Sequence, residues 1–220
     1  MIATPAAAEP GRDCLLCPRL AAFRGAQRTG HPDWFNAPVP SFGAEDGRLL
    51  IVGLAPGLRG ANRTGRPFTG DYAGVLLYDT LRKYGFARGD YGEHADDGLA
   101  LLDCRITNAV RCVPPENKPE PTEIKACNRF LAAELARLTR LAAVLALGAI
   151  AHQAVLAAAG ARRSAFRFAH GALHALPGGL LLADSYHCSR YNTNTGRLTP
   201  AMFAAVVAEL RRRLSGSAPA

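Results

Sequence analysis

The chain has 220 residues, of which 49% are hydrophobic, enough for one continuous core, so a single domain spanning residues 1–220 is the expectation. Its 26 Lys and Arg against 18 Asp and Glu leave a formal charge of +8, spread along the whole length. Such a field favours phosphate-bearing ligands, although an Arg- and Ala-rich composition alone gives the same balance, and six cysteines argue against a disulfide framework in a reducing compartment.

The first ten residues lack a basic n-region and an apolar h-region, so no secretory signal is expected and the reading is cytoplasmic. Residues 1–12 and 214–220 read as loose ends. Cys14-Leu15-Leu16-Cys17 follows as a C-x-x-C pair.

An apolar run over residues 49–53 has the length of a buried strand and ends in Gly53-Leu54-Ala55-Pro56-Gly57. The loop continues through Arg59 and Arg63 to Phe68 and Asp71. Gly53, Ala55 and Gly57 let the backbone approach a ligand closely, and Phe68 offers a stacking face. Asp71 precedes a helical pattern at residues 73–84, where a carboxylate serves equally as an N-cap or as a chemical group. The loop lacks the G-x-x-x-x-G-K-[ST] pattern, which argues against a nucleoside triphosphatase.

The second expected strand covers residues 101–106, with Cys104 as a small apolar residue inside it. Asn108 then sits at a strand end, as a turn former or as a reader of a base edge. Arg111 and Cys112 open a segment stiffened by Pro114, Pro115, Pro119 and Pro121, and Cys127 lies in the helical pattern at residues 122–138. The C-x-x-C and C-x14-C spacings together suit a four-cysteine site, for zinc or for an iron-sulfur cluster, with unligated core thiols as the alternative.

Residues 141–160 are the most apolar stretch, but Gly148, His152 and Gln153 interrupt it. A strand at 142–147 and a helix at 148–159 fit better than a membrane span, so no membrane partner is expected. The last strand, 180–183, leads into a loop carrying His187, Ser189, Arg190, Tyr191 and Arg197, then a helix at 199–214. Such a loop offers donors to DNA phosphates, an imidazole to a base, and an aromatic to fill the hole left by an extruded nucleotide. His31, His94, His152, His170 and His174 share no pattern and read as surface or capping residues.

Strand and helix alternate, so the expected fold is a three-layer α/β/α sandwich around a four-stranded parallel sheet. Loops leaving the carboxyl ends of its strands, residues 54–71, 107–121 and 185–198, should face one ligand.

At these residues the chain resembles the uracil-DNA glycosylase superfamily, specifically the type-b or family 5 iron-sulfur branch. The resemblance rests on Gly53-Leu-Ala-Pro-Gly57, on the run from Gly60 to Asp71, on Asn108-Ala-Val-Arg-Cys112, and on Ser185-Tyr-His187. The type-a branch, family 4, has a Glu where this chain has Leu54. Many superfamily members also have Pro after the loop histidine, where this chain has Cys188.

The resemblance implies a structural 4Fe-4S cluster on Cys14, Cys17, Cys112 and Cys127. It also implies Phe68 stacking on an extruded base, Asn108 reading its Watson–Crick edge, His187 donating to a base carbonyl, and Asp71 as the carboxylate for chemistry. The expected activity is that of a monofunctional, monomeric glycosylase hydrolysing the N-glycosidic bond of uracil and hypoxanthine in damaged DNA, with Arg63, Ser189, Arg190, Tyr191 and Arg197 on the DNA. A non-catalytic iron-sulfur DNA-binding module is the alternative. A zinc deaminase is disfavoured because no His precedes a Glu in H-x-E spacing.

Overall fold

Four five-residue runs, buried throughout except at Leu181, decide the architecture. The computed structural model describes residues 9–216. In chain order its elements are α1 (Pro18–Gly30), β1 (Phe42–Gly43), β2 (Leu49–Gly53), α2 (Ala61–Thr64), α3 (Tyr72–Lys83), β3 (Ala87–Arg88), β4 (Ala100–Leu101) and β5 (Cys104–Asn108). They continue with α4 (Pro121–Arg137), β6 (Ala143–Leu147), α5 (Ala149–Ala158), β7 (Leu173–Ala175), β8 (Leu181–Ser185), α6 (Arg190–Asn194) and α7 (Pro200–Gly216).

The main sheet runs β1-β5-β2-β6-β8-β7. Its centre, β5-β2-β6-β8, is the expected set of four parallel strands. β1 and β7 add antiparallel edges to it, and β3 pairs with β4 in a separate hairpin. These additions escape sequence reading because elements of two or three residues are too short to carry an alternation. β5 begins at Cys104 rather than at 101 because Leu101 pairs with Ala87 in the hairpin, and Asp103 turns the chain at φ 53°. α1 was equally hidden, since it buries only Leu20 and Arg24 and shows no apolar stripe.

Side chains alternate across a strand, so the sheet has two cores. Leu49, Ile51, Leu145 and Ala183 meet Leu77 and Leu81 of α3 and Phe203 and Val207 of α7. Leu50, Val52, Val144 and Leu182 meet Leu131 of α4 and Val155 of α5. Each such buried aliphatic side chain contributes about 1.5–3 kcal/mol of transfer free energy. A third, smaller cluster gathers Leu20, Val110, Cys112, Cys127 and Phe130, with Cys14 and Cys17 packed against it.

The segments read as loose extend beyond the described residues; within the described parts Gly11, Arg12, Ser215 and Gly216 are exposed, while two other residues are held. Glu9 pairs with Arg111 at 2.8 Å and accepts from the Ser41 N–H, while Leu214 is 3% exposed and its carbonyl accepts from Arg48. The expectation for His152 is corrected: it is not a surface residue but 2% exposed, and its ring meets Asp184. No described helix is long and apolar enough to cross a membrane.

Candidate active site

Parallel pairing puts the carboxyl ends of the central strands at one edge, with Gly53 opposite Asn108 in the β2–β5 register. The loops that leave this edge enclose a crevice of about 690 Å³, lined among others by Ala55, Gly57, Asp71, Asn117, His187 and Arg190. At its floor lies a closed-down space of about 30 Å³ between Pro56, Phe68, Asn108 and His187.

Phe68 reaches this floor because its backbone turns left-handed, at φ 53°. That conformation is unfavourable for a bulky residue and needs support. Tyr78 Oη donates to the Pro67 carbonyl at 2.6 Å, and Tyr91 Oη donates to the Phe68 carbonyl at 3.0 Å while accepting from the Gly70 N–H. Buried Arg66 holds Asp97 through two bonds of 2.7 and 2.6 Å and lies over the Phe42, Tyr78 and Tyr91 rings. Gly53 is obligatory: a Cβ there would stand 2.4 Å from Asn108 Oδ1 and 2.6 Å from Phe68 Cζ. Gly74 is equally constrained, since its Cβ would fall 1.9 Å from the Phe68 carbonyl oxygen.

Asn108 is 3% exposed and lines this floor, and no hydrogen bond joins its side-chain amide to the described residues, so the amide is open to a group that enters the pocket. The His187 ring stacks on Phe68 at a centroid distance of 5.7 Å. Burial pushes its pKa down to about 4, so at neutral pH the imidazole is uncharged and keeps one N–H donor.

Asp71 is both a helix cap and a crevice residue. It caps α3 by accepting from the Ala73 N–H at 3.1 Å, and it lines the crevice. Gly57 and Gly60 make room for its carboxylate, since a Cβ at Gly60 would stand 2.5 Å from Asp71 Oδ2. Burial raises its pKa above the ordinary carboxylate value, against the pull of the Gly74 and Ala73 amides.

The five residues expected on DNA divide. Ser189 and Arg190 line the crevice; Ser189 also caps α6, and the Arg190 guanidinium lies 5.1 Å from the Tyr72 ring centre. Tyr191 projects into solvent, 72% exposed. Arg197 lies over the Tyr186 ring at 4.6 Å, and Arg63 is exposed on α2 against Gly70, outside the crevice lining. Sequence reading missed Asn117, which reaches the crevice from the cysteine-bearing loop with a left-handed backbone at φ 57°. An Asn inside a Pro-rich turn was the available signal.

All four expected cysteines converge. Cys14 and Cys17 lie before and at the N-cap of α1, Cys112 is in the loop after β5, and Cys127 is on α4; together they surround one small space. Burial and the neighbouring sulfurs push Cys17 to about 11 and Cys127 to about 12, so thiolates here require a cation. Donors already point at two of the sulfurs: Arg24 Nη1 to Cys112 Sγ at 3.2 Å and the Arg111 N–H to Cys127 Sγ at 3.4 Å. A single zinc would hold its sulfurs about 3.8 Å apart. The donor set is compatible with an iron-sulfur cluster.

Beneath this loop, Glu134 is fully buried and binds Arg105 at 2.7 Å and Arg111 at 2.5 Å. Burial raises its pKa, but the two guanidinium groups outweigh that and hold the carboxyl below its usual value.

The chain is similar to known proteins over most of its length. A family model described as the uracil DNA glycosylase superfamily matches residues 40–211. A Type-5 uracil-DNA glycosylase of Thermus thermophilus is 49% identical over 205 residues, covering 90% of this chain and 93% of that protein. One from Mycobacterium leprae is 44% identical over 198 residues, covering 86% of each, and one from Pyrobaculum aerophilum is 39% identical over 210 residues, covering 94% and 89%. The chain belongs to the uracil DNA glycosylase superfamily and stands with its Type-5 members.

Proposed function

We propose that the chain is a monofunctional DNA glycosylase that excises uracil and related deaminated bases such as hypoxanthine from DNA. The observation that carries this reading is the Asn108 side chain lining one pocket with the Phe68–His187 stack, and the Asp71 carboxylate beside them in the crevice. An extruded base stacks on Phe68, a contact worth about 1–3 kcal/mol, while Asn108 pairs with its Watson–Crick edge.

Breaking the N-glycosidic bond leaves positive charge on the sugar and negative charge on the base. Neutral His187 donates to the base carbonyl as that charge develops, a contribution of about 3–4 kcal/mol for a well-placed donor. Asp71 stabilises the sugar cation and orients a water. No lysine is among the residues that line the crevice, which supports hydrolysis rather than attack by an amine.

Cys14, Cys17, Cys112 and Cys127 would hold a 4Fe-4S cluster, whose role here is to join α1, the loop after β5 and α4, and through that loop to position Asn108 and Asn117. The protein acts on DNA as a monomer in the cytoplasm. The deciding experiment incubates it with duplex DNA containing a single uracil and cleaves the product with alkali. Alkali-labile breaks at the uracil support the reading; tight binding of the same DNA without breaks favours a non-catalytic iron-sulfur DNA-binding module.

A further inference from the structure

A second group of ligand-type side chains lies away from the crevice and the cysteines. His152 of α5, His174 of β7 and Asp184 of β8 bring one ligand atom each within 4.8 Å of one another. Asp184 is fully buried, and the His152 and His174 side chains are 2% and 14% exposed. His152 Nδ1 stands 2.8 Å from Asp184 Oδ1, and His174 Nε2 stands 3.0 Å from Asp184 Oδ2.

The tautomer of His152 makes this arrangement informative. Its Nε2 faces the Phe166 carbonyl oxygen at 3.1 Å and so must carry a hydrogen. In the neutral ring Nδ1 then has a lone pair, and that lone pair points at a carboxylate oxygen. Two acceptors in contact need a proton or a metal cation between them. An N–H donated to a backbone carbonyl, with the opposite nitrogen turned toward a carboxylate and a second imidazole, is the usual surrounding of a metal-bound histidine. The rings of Phe166 and Phe168 pack edge-on against these histidines and give the group an apolar collar.

We propose that His152, His174 and Asp184 bind one divalent transition metal ion of the zinc class, with a water as fourth ligand on the partly open His174 side. Two imidazoles and a carboxylate on three separate elements match a zinc donor set, and although the two nitrogens face different oxygens of Asp184, all three ligand atoms lie within 4.8 Å, so small side-chain shifts bring them toward the roughly 3.3 Å edge of its tetrahedron. The ion ties α5 and β7 to β8, the strand that leads directly into His187.

The test uses the full chain with its iron content intact, first treated with a chelator and then titrated with cobalt(II) alone. The expected result is one equivalent of cobalt with weak visible bands of a nitrogen–oxygen site, no near-ultraviolet thiolate band, and an unchanged iron content. His174→Asn, at the less buried position, should lower cobalt affinity by more than the roughly hundredfold that loss of an outer hydrogen-bond partner causes. His174→Asn with native circular dichroism and iron content but wild-type cobalt affinity overturns the proposal. So does a folded wild-type protein that binds no cobalt, leaving His152 as a protonated partner of Asp184, or a cobalt spectrum with a thiolate band.

Discussion

Phe68 and His187 stack across the floor of the crevice, their ring centroids 5.7 Å apart and their planes inclined by 29°, although they come from loops after different strands. Burial lowers the imidazole pKa from 6.5 to about 4. Because the folded value lies below the unfolded one, the unfolded chain takes up the proton first as pH falls. Stability should therefore drop between about pH 6.5 and pH 4 and be unaffected by this group above that window. His187→Asn should lose less stability than wild type over the interval, read from urea midpoints at pH 7 and pH 4.5. Equal losses in the two proteins would contradict the assignment.

Gly53→Ala tests the pocket floor without touching a polar group. The new Cβ would lie 2.4 Å from Asn108 Oδ1 and 2.6 Å from Phe68 Cζ, so one of them must move. Excision should fall by at least about tenfold, corresponding to about 1.4 kcal/mol. Phe68→Ala leaves space and removes the stacking face; its loss should sit mainly in base binding, about 1–3 kcal/mol.

Asp71 requires a pair of variants, because it caps α3 and lines the crevice. Asp71→Asn keeps a capping oxygen and should unfold near the wild-type midpoint, whereas Asp71→Ala should lose about 1 kcal/mol. Both should slow single-turnover excision alike while abasic-site binding is retained. The carboxylate must be ionised to stabilise a cation, and burial raises its pKa. The wild-type rate should therefore fall on the acid side at a pH above the ordinary Asp value, and Asp71→Asn should be slow but flat there. An unchanged rate in Asp71→Asn reduces the residue to a helix cap.

The central sheet and most of the site are legible in the sequence for a common physical reason. Gly53 and Asn108 end five-residue strands and His187 lies two residues past the end of another, each strand carrying a short apolar stretch, and parallel strands deliver such ends to one edge. The cysteines are legible as spacings, C-x-x-C and C-x14-C, although spacing alone does not distinguish zinc from a cluster. What is hidden depends on contacts distant in the chain. His152, His174 and Asp184 are separated by 22 and 10 residues and meet only when β7 pairs with β8 and α5 packs over them. Asn117 reaches the crevice through a left-handed turn inside a Pro-rich segment, where composition indicates a loop but no direction.

Cys112→Ser tests the cysteine site and its link to the crevice. Protein purified without oxygen should be brown, and the variant should lose colour and iron. Cys112 also anchors the segment between Asn108 and Asn117, so excision should fall with the iron even though position 112 is not among the residues lining the crevice. Equimolar zinc in place of iron in the wild type would refute the cluster.

Tyr191 and Arg190 are neighbours on α6 with different surroundings, which separates their roles. The Arg190 guanidinium lies over Tyr72 at the crevice wall, while Tyr191 stands 72% exposed beside it. Its exposure makes Tyr191 our proposed plug for the gap left by a flipped base, with a few kcal/mol of unstacking cost that its ring would offset. Tyr191→Ala should slow excision from duplex DNA by roughly tenfold or more and leave single-stranded DNA nearly unaffected, because no stack needs filling there. Arg190→Ala should act on both substrates and lower the salt slope of binding by about one, as expected for one lost phosphate contact. Equal effects of Tyr191→Ala on duplex and single strand would remove it as the plug, and Arg190, the other candidate on α6, would take that role.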